Sequence, residues 1–425
     1  MNKKEIVFDI PGSKSIINRI LIMATYLNEP VTMTNFSTCR DVLVMLENLK
    51  NLGFISKIDN NICTLTPPKS FNRKVKLYIH DAGTVYRFLV ARLAAWEGLE
   101  CEIKVSKQLS KRPIKPLADL LLDNGAIMEI DGVIKISGKK LDRISGLVDP
   151  TISSQFYSAI MLLAPILRNG VELQFKEKPV SFSYLSLTQQ VLRIFGIKSN
   201  LTVNNLKIAG LQKMKSPESI LIEPDYSSAC YFWALGAMSN IPIGTSVKEM
   251  ESMQGDFNFW KVLQKMGADI IERDNKILVQ KRNLNGINID MKDMPDQVPT
   301  LAIIALFAKG KTTVSGIAHL KHKESDRISA LVDELTKIGA MIEYKNSTLT
   351  INPISGHIPK NVLLRCYDDH RLVMVFSILK LIYPTLRLDD SSAVEKSFPE
   401  FFLYWKELCE NLDIKNSLKD ITKYE

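Results

Sequence analysis

The sequence predicts an α/β protein of two lobes, built from six copies of a helix-and-hairpin unit. The tetrad Leu-x-x-x-Gly reads as a helix end with its C-cap glycine. It recurs at Leu49 to Gly53, Leu121 to Gly125, Leu192 to Gly196, Leu263 to Gly267 and Leu335 to Gly339, with the glycines 72, 71, 71 and 72 residues apart. The stretch after each glycine is the second observation: ISKIDNNICTL, IMEIDGVIKI, KSNLTVNNLKI, DIIERDNKILV and MIEYKNSTLTI all read strand, Asn/Asp/Gly turn, strand. Third, apolar helices start near Ser15, Thr84, Ser154, Ser228, Val298 and His370, at intervals of 69, 70, 74, 70 and 72. The tetrad also falls out of register at Leu206 to Gly210 and Leu306 to Gly310, so the even spacing carries the argument.

Six such units fill the chain, and the last ends in a helix from Phe401 to Leu412 with no hairpin after it. The period is too long for a thin solenoid, so the units should pack around shared cores. Three units to a lobe is the simplest division. The boundary is expected where the chain passes Pro224 and enters a helix capped around Asp225 to Ser228, which gives one lobe of residues 13–223 and another of 1–12 plus 224–425. The chain then crosses between lobes twice, the plan of a hinge that closes on ligand.

Composition narrows the function. With 46% apolar residues among 425, the chain can bury large cores, yet its longest apolar runs are too short to span a bilayer. The start MNKKEIVFDI has no apolar signal core, so a cytoplasmic location and no membrane partner are expected. Six scattered cysteines without a C-x-x-C pair and five unclustered histidines point to free thiols and no metal. The net charge of +9 comes from 55 basic and 46 acidic residues interspersed, with no basic run carrying aromatics; small anionic substrates are expected, not nucleic acid.

Where would anions bind? Pro11-Gly12-Ser13-Lys14-Ser15 joins a short strand to a helix running through Arg19. Gly12 allows a tight turn, the serines can cap the first helical turn, and the free amides beside Lys14 and Arg19 favour a phosphate or carboxylate. The segment lacks Walker A spacing. At Asp81-Ala82-Gly83-Thr84 a second helix begins, with Arg87 one turn on; Ser110-Lys111-Arg112-Pro113 then forms a basic corner, where Pro113 suits a first helical position. Thr151 to Gln155 offers more hydrogen-bonding groups than one cap needs, through Ser153, Ser154 and Gln155, and Ser181 and Tyr184 come next on a polar stretch. In the second lobe come Asp296 before the Val298 helix, Lys323-Glu324-Ser325-Asp326-Arg327, Asp368-Asp369-His370-Arg371 and Lys396-Ser397-Phe398-Pro399. Each alone reads equally as a capped helix or a solvated charge cluster.

Taken in order, PGSKSxxNR, AGTxxR, KRPI, SSQF, SMQGD, KESDR, DDHR and KSFP resemble the signature of the enolpyruvyl transferase family, from Phe8 to Phe402. The resemblance implies an inverted α/β barrel pair, each lobe of three βαβαββ units, and no cofactor. It implies transfer of the enolpyruvyl group of phosphoenolpyruvate to the 5-hydroxyl of shikimate 3-phosphate, with release of phosphate, by a monomer that glyphosate inhibits. By the match, Lys14, Ser15, Arg19, Ser153, Ser154, Gln155, Ser181, Tyr184, Asp296, His319 and Lys323 resemble the shikimate 3-phosphate contacts. Lys14, Gly83, Arg87, Arg112, Gln155, Arg327, Arg371 and Lys396 resemble those of phosphoenolpyruvate. Glu324 resembles the acid that protonates the methylene carbon, and Asp296 or Lys14 the base that takes the hydroxyl proton. The chain departs from the pattern at Ile17, at Asp81 (commonly Asn), at His319 (commonly Asn) and at Pro224 (often Gly). The sister enzyme that uses a UDP-sugar carries a catalytic cysteine on a loop matching Ser106 to Arg112, which has none here.

Overall fold

The computed structural model describes residues 5–249, 251–355 and 358–411. The chain divides into two compact units, one of Met1–Pro11 with Pro224–Glu425 and one of Gly12–Glu223.

In the second of these, each of three four-stranded sheets pairs two parallel strands with an antiparallel hairpin. Lys74–Tyr78 runs parallel to Glu100–Lys104, with the helix Gly83–Ala94 between them in sequence; Ile127–Asp131 and Val133–Ser137 complete that sheet as the hairpin. Ile144–Val148 and Val171–Phe175 repeat the plan around the helix Ser154–Leu163. In the sheet that holds Val31–Thr34 the parallel partner is Ser219–Leu221, from the far end of the unit's sequence. The other unit has the converse: Ile6–Phe8 pairs in parallel with Ile243–Ser246. Its remaining sheets are a four-stranded one holding Asn288–Asp290 and Thr312–Ser315 and a two-stranded one of Leu363–Leu364 with Arg387–Leu388.

The hairpins form where expected because their turn residues tolerate positive φ. Asn60, Gly132, Asp274 with Asn275, and Asn346 with Ser347 all lie between +50° and +64°. Gly53, Gly125, Gly196, Gly267 and Gly339 end helices at φ between +78° and +106°, whereas the out-of-register Gly210 comes after a strand. The helix Phe401–Asn411 closes the described chain; Leu412 lies outside the described residues.

Each unit buries three helices nearly all round. In Gly12–Glu223 these are Lys14–Ala24, Gly83–Ala94 and Ser154–Leu163, which contact one another; in the other unit they are Tyr226–Met238, Val298–Ala305 and His370–Ile382. Burial on every side explains why these helices read as continuous apolar runs, while the outer helix Arg40–Asn51 alternates apolar and charged faces. It also accounts for Ile17, which is fully buried. Several of the polar motifs thus stand at the starts of the inner helices.

Candidate active site

In the unit Gly12–Glu223, the start of the Gly83 helix holds two arginines with no carboxylate partner among the described residues. Arg87 is buried and turns back on the chain, donating from Nη1 to the Gly83 carbonyl at 2.9 Å and from Nη2 to the Pro113 carbonyl at 2.7 Å. Its Nε and the Nε of Arg112 are buried without acceptors. Burial first, and then the charge of Arg112, pulls the pKa of Arg87 well below the usual arginine range. Two guanidinium groups side by side without a carboxylate can hold an anion. This crowding favours glycine at 83: a Cβ there would lie 2.4 Å from Arg112 Nη1 and 2.7 Å from Arg87 Nη1, so the guanidinium groups would have to shift. Gly83→Ala is accordingly expected to displace Arg112 and weaken binding of inorganic phosphate by about tenfold in calorimetric titration.

The other predicted residues of this unit fall into two groups. Gln155 Nε2 donates to Thr84 Oγ1 at 3.2 Å, joining the starts of two inner helices, while its Oε1 is buried without a donor. Ser153 caps its helix by accepting from the Gln155 amide, and Ser154 is buried beside it. Lys14 pairs with the buried Asp41 at 2.8 Å. Arg19 points inward: it donates to Thr188 Oγ1, Ser158 Oγ and the carbonyls of Ser15 and Tyr184, and burial lowers its pKa to about 10. It braces the backbone at Ser15 and Tyr184. Ser181 precedes the helix Phe182–Ile194 in the left-handed region, at φ +54°.

Several local expectations need correction. Ser13 makes no side-chain cap bond to the Lys14–Ala24 helix. Gly12, whose expected turn this does not contradict, is also needed for close approach, since a Cβ would sit 1.9 Å from the Asn35 carbonyl oxygen. Pro113 is not a first helical residue: the helix is Lys115–Asp123, its early proline is Pro116, and Pro113 instead supplies a carbonyl to Arg87.

In the other unit, acids and bases interlock. Asp296, just ahead of the Val298 helix, accepts from Arg327 at 2.9 Å and from Arg371 at 2.8 Å, with Lys323 at 3.3 Å. Arg327 also forms a two-point pair with Asp369, at 2.8 and 3.1 Å, and Asp369 caps the next inner helix through the Arg371 amide. The Lys323 to Arg327 segment therefore makes buried ion pairs ahead of a helix; only Asp326 serves as a cap, for Arg327–Lys337. Glu324 Oε2 lies 2.7 Å from His370 Nδ1, with Lys396 at 3.7 Å and Arg327 at 3.9 Å. Burial works to raise the pKa of Glu324, but the charges of His370, Lys396 and Arg327 prevail and hold it well below the ordinary carboxylate value. His319 is buried next to Lys323, and burial and that charge lower its pKa to about 3, so it is neutral at physiological pH.

Three residues were not singled out by sequence reasoning. Arg40 and Asp41 pair with Asp81 and Lys14. Asp256 accepts from Ser227 Oγ at 2.5 Å and Gln297 Nε2 at 3.0 Å, and burial, then Asp296, raises its pKa. Its place in the SMQGD stretch was the one available signal. Glu324, Asp369 and His370 bring potential metal-ligand atoms within 4.8 Å of one another, but both Asp369 oxygens accept from Arg327 and Lys396 stands beside Glu324, so cations of the chain already balance these acids.

Carboxylates set among arginines and lysines in a two-lobed α/β protein suit an enzyme that handles anionic substrates. The family model described as EPSP synthase (3-phosphoshikimate 1-carboxyvinyltransferase) matches residues 3–405. Relatives named 3-phosphoshikimate 1-carboxyvinyltransferase include one from Buchnera aphidicola subsp. Cinara cedri, 33% identical over 96% of each chain. Another, from Buchnera aphidicola subsp. Baizongia pistaciae, is 35% identical over 94% of this chain and 96% of its own. Among solved structures, an EPSP synthase from Acinetobacter baumannii has a TM-score of 0.74 at 24% identity, covering 96% of this chain and 95% of its own, which speaks for the fold. The chain belongs to the EPSP synthase family.

Proposed function

We infer that this chain transfers the enolpyruvyl group of phosphoenolpyruvate to the 5-hydroxyl of shikimate 3-phosphate and releases phosphate. The observation that carries the reading is the uncompensated pair Arg87 and Arg112 at the glycine-led helix start, in a chain that also holds Asp296 and Glu324 among cations. Arg87, Arg112, Gln155 and Lys14, with Arg327, Arg371 and Lys396, serve phosphoenolpyruvate. Lys14, Ser15, Ser153, Ser154, Gln155, Ser181, Tyr184, Asp296, His319 and Lys323 serve shikimate 3-phosphate, with Arg19 bracing Ser15 and Tyr184 from behind.

In the addition step a proton goes to the methylene carbon and the hydroxyl oxygen bonds to the neighbouring carbon as its own proton leaves. In the elimination step the new methyl group gives up a proton as the carbon–phosphate bond breaks. Glu324 acts as the acid, and the 2.7 Å contact with His370 gives it a neighbour with which to share a proton. Substrate anions set against Lys396 and Arg327 offset those cations and raise the pKa of Glu324 into a range where it can carry that proton. Asp296 takes the hydroxyl proton. Lys14, already engaged by Asp41, serves better as a fixed positive charge than as a base.

No helix among the described residues is long and apolar enough to cross a membrane, and the reading includes a cytoplasmic monomer on which glyphosate competes with phosphoenolpyruvate. Phosphate release measured with shikimate 3-phosphate and with UDP-N-acetylglucosamine as acceptors tests it. Turnover with the first alone is expected; turnover with only the second would overturn it.

A further inference from the structure

We propose that Arg40 is a positioning residue for the anion pocket of the Gly12–Glu223 unit, holding the carboxylate of Asp81 away from Arg112 and Arg87. The inference rests on the function proposed above. Asp81 lies two residues before Gly83, whose missing Cβ leaves room for both guanidinium groups. An aspartate there is a hazard: neither arginine has a carboxylate partner among the described residues, and a free carboxylate so near would pair with one of them and displace the substrate's anion.

One partner of this acid is Arg40, the first residue of the helix Arg40–Asn51. Its Nη2 stands 3.0 Å from Asp81 Oδ1. The backbone before Asp81 is itself held, with His80 at φ +49° and its carbonyl accepting from the Ser106 amide at 2.8 Å. Asp81 does not cap the helix after it, whose N-cap is Ala82 without a side-chain bond. The next residue along from Arg40, Asp41, engages Lys14 at 2.8 Å. Two consecutive residues of opposite charge thus sort the site: Arg40 occupies an acid, and Asp41 fixes a cation.

As an ion pair between a half-exposed arginine and a mostly buried aspartate, Arg40–Asp81 contributes little to stability. Its effect should appear in binding. The test compares wild type, Arg40→Ala, Asp81→Asn and the double variant. Arg40→Ala is expected to raise KM for phosphoenolpyruvate about three- to tenfold with kcat nearly unchanged, less so at high salt. In the Asp81→Asn background the same substitution should change KM by less than about twofold, since there is no longer a carboxylate to restrain. An equal rise in both backgrounds would mean that Arg40 acts through its own charge, and no rise in the natural background would mean that it restrains nothing; either overturns the proposal. Calorimetric Kd values for phosphoenolpyruvate on the same four proteins, in the presence of shikimate 3-phosphate, keep the question separate from turnover. Absence of turnover in the wild type would refute the proposed reaction while leaving the binding comparison to decide on Arg40.

Discussion

Glu324→Gln is expected to lower kcat by about 10²- to 10⁴-fold while KM for both substrates stays within a few-fold. The amide is nearly the same size and can keep a hydrogen bond to His370 Nδ1, now 2.7 Å from Oε2, but it has no acidic proton to deliver. Ion pairing to Lys396 and Arg327 is lost as well. Both cations keep their places, because Arg327 retains Asp369 and Asp296 as partners and Lys396 is enclosed by the fold. Steady-state kinetics with shikimate 3-phosphate and phosphoenolpyruvate decide the matter, and turnover within threefold of the wild type would remove Glu324 from the role of acid.

Arg327→Ala should cost about 3–5 kcal/mol of stability at neutral pH, the size expected when one member of a buried ion pair is removed. The side chain is almost wholly buried and answers two carboxylates, Asp369 at 2.8 Å and Asp296 at 2.9 Å. In the wild type, burial raises the pKa of Asp369 but the charge of Arg327 outweighs it, leaving the value below normal. A carboxylate with a depressed folded pKa contributes stability above its unfolded pKa, and that contribution is lost as pH falls through the folded value. Without Arg327, burial dominates and the folded pKa rises above the unfolded one. The sign then inverts, so this group's penalty is full at pH 7 and shrinks as pH falls toward about 4. Denaturant midpoints of the two proteins at pH 7 and pH 5 should therefore lie closer together at the lower pH. A gap that widened on acidification would contradict the assignment.

Much of this architecture is local and was legible in the sequence. A C-cap glycine, an Asn/Asp hairpin turn or a cap such as Asp225 acts within a few residues, so its spacing along the chain reports structure directly. The starts of the six inner helices were legible for the same reason, since apolar runs buried on all sides must change abruptly to polar residues where they emerge. The sequence by itself thus determined the α/β class and where the inner helices start. Which charge meets which was decided only by the tertiary structure. Lys14 with Asp41, Arg40 with Asp81, Arg327 with Asp369 and Glu324 with His370 are 27, 41, 42 and 46 residues apart. The inward turn of Arg19 toward Thr188 spans 169. No periodicity encodes such pairs: a charged side chain looks the same in sequence whether it faces water or a buried partner, and packing against another element selects between them.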